Sequence, residues 1–238
     1  DVLGSRGLGD VYKRQEEYYS PDEDIIDRMR RRSRKSWVNY ILVGINILIF
    51  LLVELTGSSE DTLHMIRWGA SFTPLVEAGE YYRLFTCMFL HFGFQHLLNN
   101  MLLLFFLGDY MERFIGKIRY LILYLAGGTA ASVFSWRHEV SQGEMTVSAG
   151  ASGAIFAVLG GLVVLLIFHK GRLEELTLQR VAIMSVLSIW VGFQSAGVDG
   201  WAHLGGFLAG ALLMAVMNLP RMLRRNRQNP FNSPRGQW

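Results

Sequence analysis

The feature that most constrains this chain is a series of apolar stretches, each close to the roughly 20 residues that a helix needs to cross a bilayer. Five are almost uninterrupted, and a sixth is apolar at its centre but polar near its start. The predicted spans are Val38–Leu55, Phe92–Tyr110, Tyr120–Trp136, Ala149–Phe168, Val181–Val198 and Trp201–Leu219. Hydrophobic residues make up 51% of the chain and charged residues 18%, against roughly 25% charged in soluble domains. The composition therefore favours an all-α polytopic membrane protein and argues against a disordered or nucleic-acid-binding chain.

The distribution of basic residues predicts the orientation of these spans. Lys and Arg collect in cytoplasmic loops. With the N-terminus inside, the cytoplasmic segments carry sixteen Lys and Arg residues close to the spans, and the outer loops carry three. Omitting the polar-ended span would spoil this asymmetry. We therefore expect six crossings with both termini cytoplasmic.

The remaining segments complete the predicted organisation. Residues 1–15 have no periodic pattern and are interpreted as a disordered or non-native leader, residues 16–36 as a basic cytoplasmic juxtamembrane segment, 37–219 as the six-helix domain, and 220–238 as a disordered basic cytoplasmic tail. A single cysteine, Cys87, excludes an intrachain disulfide and a multi-cysteine metal site.

Four polar side chains within the spans indicate a functional site, because such residues are expensive in a bilayer. They are His96, Asn100, Ser152 and His203. Spans two, four and six enter from the outer side, and each of these residues lies in the first turns of its span. A helix rises about 1.5 Å per residue, so all four are expected within roughly 5–15 Å of the outer surface. Three helices thus bring polar groups to one depth.

Small neighbours favour contact between the fourth and sixth spans. Gly150 and Gly153 flank Ser152 closely, and Gly206 and Gly210 form a G-x-x-x-G face that permits close helix approach. His203 lies three residues before Gly206 and shares roughly that face. Packing along these faces would bring the His203 imidazole to the Ser152 hydroxyl. An imidazole is the side chain best suited to activate a serine near neutral pH.

His96 and Asn100 are spaced i, i+4 and project from one face of span two. Both can donate hydrogen bonds, as the oxyanion of a tetrahedral intermediate requires, and the Ser152 backbone N–H is a third candidate donor. Spacing alone does not separate hydrolysis from transport. Taken singly, an intramembrane serine or histidine is more often a packing or pairing residue.

Four motifs in this order resemble the rhomboid family of intramembrane serine proteases over roughly Val38–Leu219. They are His91 to Asn100 (HFGFQHLLNN), Gly108 to Arg113 (GDYMER), Gly150 to Gly153 (GASG) and Ala202 to Gly206 (AHLGG). The resemblance implies a six-helix rhomboid bundle, with Ser152 as nucleophile, His203 as general base and no carboxylate as third member. It also implies an oxyanion hole formed by His96, Asn100 and the Ser152 backbone N–H.

The same resemblance assigns supporting residues. Glu112 and Arg113 match the structural pair at the inner end of span two, and Arg83 matches the arginine of the first loop. Tyr82 stands where the family usually has tryptophan. Phe156 stands where the family often has a tyrosine that supports the histidine ring, so stacking is retained and a hydrogen bond is lost.

The implied substrate is a single-span transmembrane protein cleaved near the outer end of its helix, within the lipid bilayer. No cofactor, metal or nucleic acid is expected, and the sequence leaves the oligomeric state open. The expected location is the plasma (inner) membrane of a bacterium, with an organelle as the alternative. A non-catalytic rhomboid-like protein that binds client helices would have lost Ser152 or His203, and an unrelated transporter would show internal repeats or midplane charges. The chain keeps both Ser152 and His203, and its sequence shows neither internal repeats nor midplane charges. An active protease is therefore the favoured interpretation.

Overall fold

A computed structural model describes residues 34–227 except 175 and 196; for residue 172 and for 220–227 it describes the backbone alone. The architecture below is that of the unit that begins at Ser36. It is mostly helical, as the sequence predicts. The elements are α1 Trp37–Thr56, α2 Thr62–Trp68, β1 Ser71–Phe72, α3 Thr73–Glu77, α4 Arg83–Thr86, a 3₁₀ turn Cys87–Phe89, α5 Gly93–Leu103, a π turn Leu104–Gly108, α6 Asp109–Ile115, α7 Lys117–Gln142, β2 Val147–Ser148, α8 Ser152–Phe168, β3 Arg172–Leu173, β4 Leu176–Thr177, α9 Leu178–Gln194 and α10 Gly200–Arg227.

The length of these helices bears on the predicted spans. Three are long and apolar enough to cross a membrane: α1, α7 and Gly200–Leu219 of α10. Arg83–Phe89 and Gly93–Ile115 meet the same test only as a pair, bent by 88°. The apolar helices α8 and α9 are shorter, with 17 residues each.

Several boundaries differ from the sequence prediction. The fourth span starts three residues later than Ala149, because residues 149–151 form a turn ahead of α8. Helix α10 continues past the predicted end at Leu219 to Arg227, so the segment predicted as a disordered tail from residue 220 begins as helix backbone. Its Leu, Met and Arg residues are good helix formers. The predictions for residues 1–33 and 228–238 lie outside the described residues.

Helices α7, α8 and α10 pack against one another, and small residues line the two contacts that α8 makes. On one side, a Cβ built on Gly128 would lie 2.8 Å from the Cβ of Ala154. On the other side, Gly206 packs against the Gly153 carbonyl and Gly210 against the Ala157 carbonyl, with no room for a side chain. Without side chains in the way, the helix backbones touch.

A short strand pair connects the segment between α2 and α3 to the segment that leads into α8. β1 pairs antiparallel with β2, with Ser71 opposite Ser148 and Phe72 opposite Val147. Thr73 extends this contact, because its backbone N–H donates to the Thr146 carbonyl at 3.2 Å. These contacts attach the loop before α4 to Ser148, which lies four residues before Ser152.

Candidate active site

The turn that precedes α8 fixes Ser152 at the first position of that helix. Gly150 has φ of +144°, which a residue with a side chain rarely adopts. Its N–H donates to the Cys87 carbonyl at 3.0 Å, and the next N–H, of Ala151, donates to His91 Nε2 at 3.3 Å. The Ser152 backbone N–H is then one of the four at a helix N-terminus that lack an intrahelical acceptor.

His96 and Ser152 flank the same space. A Cβ built on Gly150 would lie 2.9 Å from His96 Nε2 and 3.8 Å from Ser152 Oγ. The absence of a side chain at Gly150 therefore leaves an opening bordered by an imidazole and a hydroxyl. Any side chain at this position would fill it.

Asn100 lies one turn after His96 on α5 and is buried. Its Nδ2 donates to the His96 carbonyl at 2.9 Å, which occupies one of its two amide protons. Its second amide proton is not used in this bond. Both predicted oxyanion donors thus project from one end of α5.

The His203 ring is held by packing. Its face stacks on Phe156, with ring centroids 4.2 Å apart and planes 15° from parallel. Its Nδ1 faces α9, where a Cβ built on Gly192 would lie 2.7 Å away. Within the described residues, this buried Nδ1 has no hydrogen-bond partner.

Backbone contacts bring the Ser152 and His203 segments together. A Cβ built on Gly153 would lie 3.8 Å from the Ala202 carbonyl oxygen, so the residue after Ser152 contacts the residue before His203. Across the described part of the chain, the Ser152 hydroxyl itself makes no hydrogen bond. Catalytic hydrogen bonds are often formed only once substrate is bound.

A group of buried and half-buried polar residues lies beside this pair and was not predicted from the sequence. Asp199 accepts hydrogen bonds from the Ser135 hydroxyl at 2.7 Å and the Ser148 hydroxyl at 3.0 Å. Glu139 accepts from the Thr73 hydroxyl at 2.7 Å. A cavity of about 30 Å³ that borders Ser152 is also lined by Asp199, Glu139, Ser135 and Ser148. They lie at segment ends, where polar residues are ordinary, and their convergence depends on helix rotation that sequence does not reveal.

The three residues predicted to be structural lie outside this centre. Arg83 is buried and donates to the Ile66 carbonyl at 2.6 Å and to Glu80 at 2.7 Å. The Tyr82 hydroxyl and then Arg83 hold the pKa of Glu80 below its ordinary value, because both donate hydrogen bonds to its carboxylate. These contacts tie the first loop together.

Glu112 and Arg113 make separate contacts. The Glu112 carboxylate accepts from the backbone N–H groups of Val38 at 3.2 Å and Asn39 at 2.7 Å, which caps the start of α1. Arg113 forms a salt bridge with Asp109 one turn earlier. The two therefore act on different partners.

A match to the Rhomboid domain family covers residues 78–219, more than half of the chain. This chain belongs to the rhomboid family. It is 32% identical over 187 residues to the rhomboid protease GluP of Bacillus subtilis, covering 79% of this chain and 36% of that protein. It is 41% identical over 167 residues to RHOMBOID-like protein 5 of Arabidopsis thaliana, covering 69% and 52%.

A third relative is matched over more of its own length. The rhomboid protease AarA of Providencia stuartii is 31% identical over 206 residues, covering 77% of this chain and 73% of that protein. The chain nevertheless spans only about a third to a half of the first two relatives. Family membership and apolar helices identify an integral membrane protein.

Proposed function

We propose that this chain is an intramembrane serine endopeptidase in which Ser152 is the nucleophile and His203 the general base. The observation that carries the proposal is the backbone contact between α8 and α10, which sets the Ser152 turn beside the His203 segment. Two relatives are named as rhomboid proteases, and the chain retains all four motifs of the family.

The proposed reaction uses the two ring nitrogens differently. The neutral ring carries its proton on Nδ1 and accepts the Ser152 proton at Nε2. The Ser152 oxygen then bonds to the carbonyl carbon of the scissile peptide. His203 passes the proton to the leaving amine, an acyl-enzyme remains, and water releases it through the same steps with His203 again acting as base.

The oxyanion hole of this proposal consists of three donors. Asn100 contributes its second amide proton, His96 its ring N–H, and Ser152 its backbone N–H. The His96 ring borders the opening left by Gly150, the Ser152 N–H lies at the helix end that follows it, and Asn100 lies one turn after His96. Donors fixed in advance stabilise the charge that develops on the carbonyl oxygen.

The substrate of this proposal is a single-span transmembrane protein, cleaved near the outer end of its helix. Six crossings with both termini in the cytoplasm, in the inner membrane of a bacterium, agree best with the distribution of basic residues. The 17 residues of α8 and of α9 are at the short end of the range that spans a bilayer.

Cleavage of a model single-span substrate by purified protein in detergent or liposomes tests the proposal. Ser152→Ala and His203→Ala should each abolish cleavage while the protein still inserts and folds. The matched control is Ser141→Ala, which removes an exposed hydroxyl at the end of α7 and should leave the rate unchanged. Retained cleavage by Ser152→Ala would defeat the assignment.

Loss of one predicted oxyanion donor should reduce the rate of cleavage less completely than loss of Ser152 or His203. His96→Ala or Asn100→Ala should lower kcat by about 10²- to 10³-fold, the typical cost of one oxyanion donor. If the wild-type protein binds a client helix and never cleaves it, the non-catalytic alternative replaces the proposal.

A further inference from the structure

We propose that Asp199 is a positioning residue that fixes the His203 helix end against the segment carrying Ser152. This inference rests on the proposed function and adds to it a residue that the Ser–His pair does not include. Asp199 lies four residues before His203, at the point where the chain enters α10.

The Asp199 carboxylate joins three elements. One oxygen accepts the Ala202 backbone N–H at 2.8 Å and caps α10. The Ser135 hydroxyl of α7 lies 2.7 Å from both oxygens, so its single proton is shared between them. The Ser148 hydroxyl of β2 donates at 3.0 Å. One side chain thus holds α10, α7 and the strand that precedes Ser152.

This anchoring matters because no hydrogen bond orients the His203 ring at Nδ1 within the described residues. The ring is placed by Phe156 on its face, by Gly192 at its edge, and by the backbone from which it projects. Asp199 fixes the position of this backbone. A shift of about 1 Å at the helix end would move the base away from the hydroxyl, and such displacements cost roughly 10²-fold in rate.

The chemistry of the position favours a carboxylate. Three N–H and O–H groups converge on it, and an ionised Asp offers about four lone-pair sites and no proton. The neighbouring Glu139 receives Thr73 at 2.7 Å, and its contacts to Ser135 and Ser148 are longer, at 3.4 Å and 3.5 Å. The two serine hydroxyls are therefore directed mainly to Asp199.

Three substitutions separate positioning from folding. Asp199→Ala removes the cap and both serine contacts. Asp199→Asn keeps a side-chain oxygen for the cap and a similar reach, since Asn is an equally good N-cap. Asp61→Ala is the matched control, because Asp61 caps α2 through Leu63 N–H at 2.9 Å, away from the site.

The experiment measures kcat, KM, the rate of fluorophosphonate labelling of Ser152, and thermal unfolding in detergent. Asp199→Ala should lower kcat roughly 10- to 100-fold with KM within about twofold, and labelling should slow in parallel. Asp199→Asn should recover kcat to within about threefold of wild type. Asp61→Ala should leave kcat unchanged.

A coupling measurement assigns the effect to the contact itself. Ser135→Ala should lower kcat in the wild-type background and change it little in Asp199→Ala, since interacting residues are non-additive. Wild-type kcat per folded molecule in Asp199→Ala, or a loss accounted for wholly by unfolding, would overturn the inference alone. A wild-type protein that neither cleaves nor labels at Ser152 would overturn the proposed function as well.

Discussion

Helices α8 and α9 have the same length, 17 residues each, yet they are buried to very different degrees. Eleven side chains or glycines of α8 are buried, against three of α9. Leu162 of α8 is 1% exposed, whereas Leu187 of α9 is 55% exposed. Helix α8 therefore occupies the centre of this bundle, whereas α9 is largely exposed.

The difference follows from the position of small residues. Gly153, Ala157 and Gly160 recur along one face of α8 and meet Gly206, Gly210 and the Phe207 carbonyl of α10. Lipid tails are as apolar as leucine, so helices in a membrane associate through close packing more than through exclusion from water. Helix α9 keeps a largely exposed surface.

His203 contacts both of these helices. The ring stacks on Phe156 of the tightly packed helix, and its Nδ1 faces Gly192 of the loosely packed one. The tight interface sets where the base lies, and the loose one leaves room for its edge. Four substitutions, with Gly44→Ala as a control, test this division.

The largest effect is expected from Gly210→Val. Its Cβ would overlap the Ala157 carbonyl, a backbone group that cannot rotate away. We expect a loss of more than about 3 kcal/mol in the free energy of unfolding and no cleavage, because α8 and α10 must separate. Thermal unfolding in detergent measures this. A stable, active variant would show that the backbones do not need to touch.

A pair of identical truncations compares the two helices directly. Leu162→Ala should cost about 2 to 5 kcal/mol, because it leaves a cavity at the centre of the bundle. Leu187→Ala removes the same atoms from an exposed surface and should change stability by no more than about 0.5 kcal/mol. Equal losses in chemical or thermal unfolding would contradict the contrast between α8 and α9.

The smallest change in stability, with a clear change in rate, is expected from Gly192→Ala. Alanine favours a helix over glycine by about 0.5 to 1 kcal/mol, but its Cβ would press on His203 Nδ1. We expect unchanged or higher stability and a kcat lowered roughly tenfold.

Gly44→Ala is the control for this change. Gly44 lies inside α1, and a Cβ there meets nothing within 4 Å. It should raise stability similarly and leave kcat intact. Equal activity of the two variants would show that the edge of the ring does not depend on Gly192.

The sequence predicted the close packing of the fourth and sixth spans, because Gly206 and Gly210 at i, i+4 leave few other interpretations. The roles assigned to Ser152, His203, His96 and Asn100 stay predictions that mutagenesis must test.

Other features were beyond the sequence for physical reasons. The π turn at Leu104–Gly108 is a change of hydrogen-bond register inside an apolar run, and no residue type in that run predicts it. His91 appeared only as part of a motif, and its contact with the Ala151 N–H depends on the turn at Gly150. Asp199 and Ser135 are 64 residues apart, and only the packing of α7 against α10 brings them together.

The central claim is that His203 activates Ser152 across the interface between α8 and α10. Mass spectrometry of the protein after reaction with a fluorophosphonate tests this most directly, since it identifies the modified residue. If His203 activates Ser152, we expect an adduct on Ser152 in the wild type and its loss in a folded His203→Ala variant. An adduct on another serine, or undiminished labelling of Ser152 without His203, would contradict it.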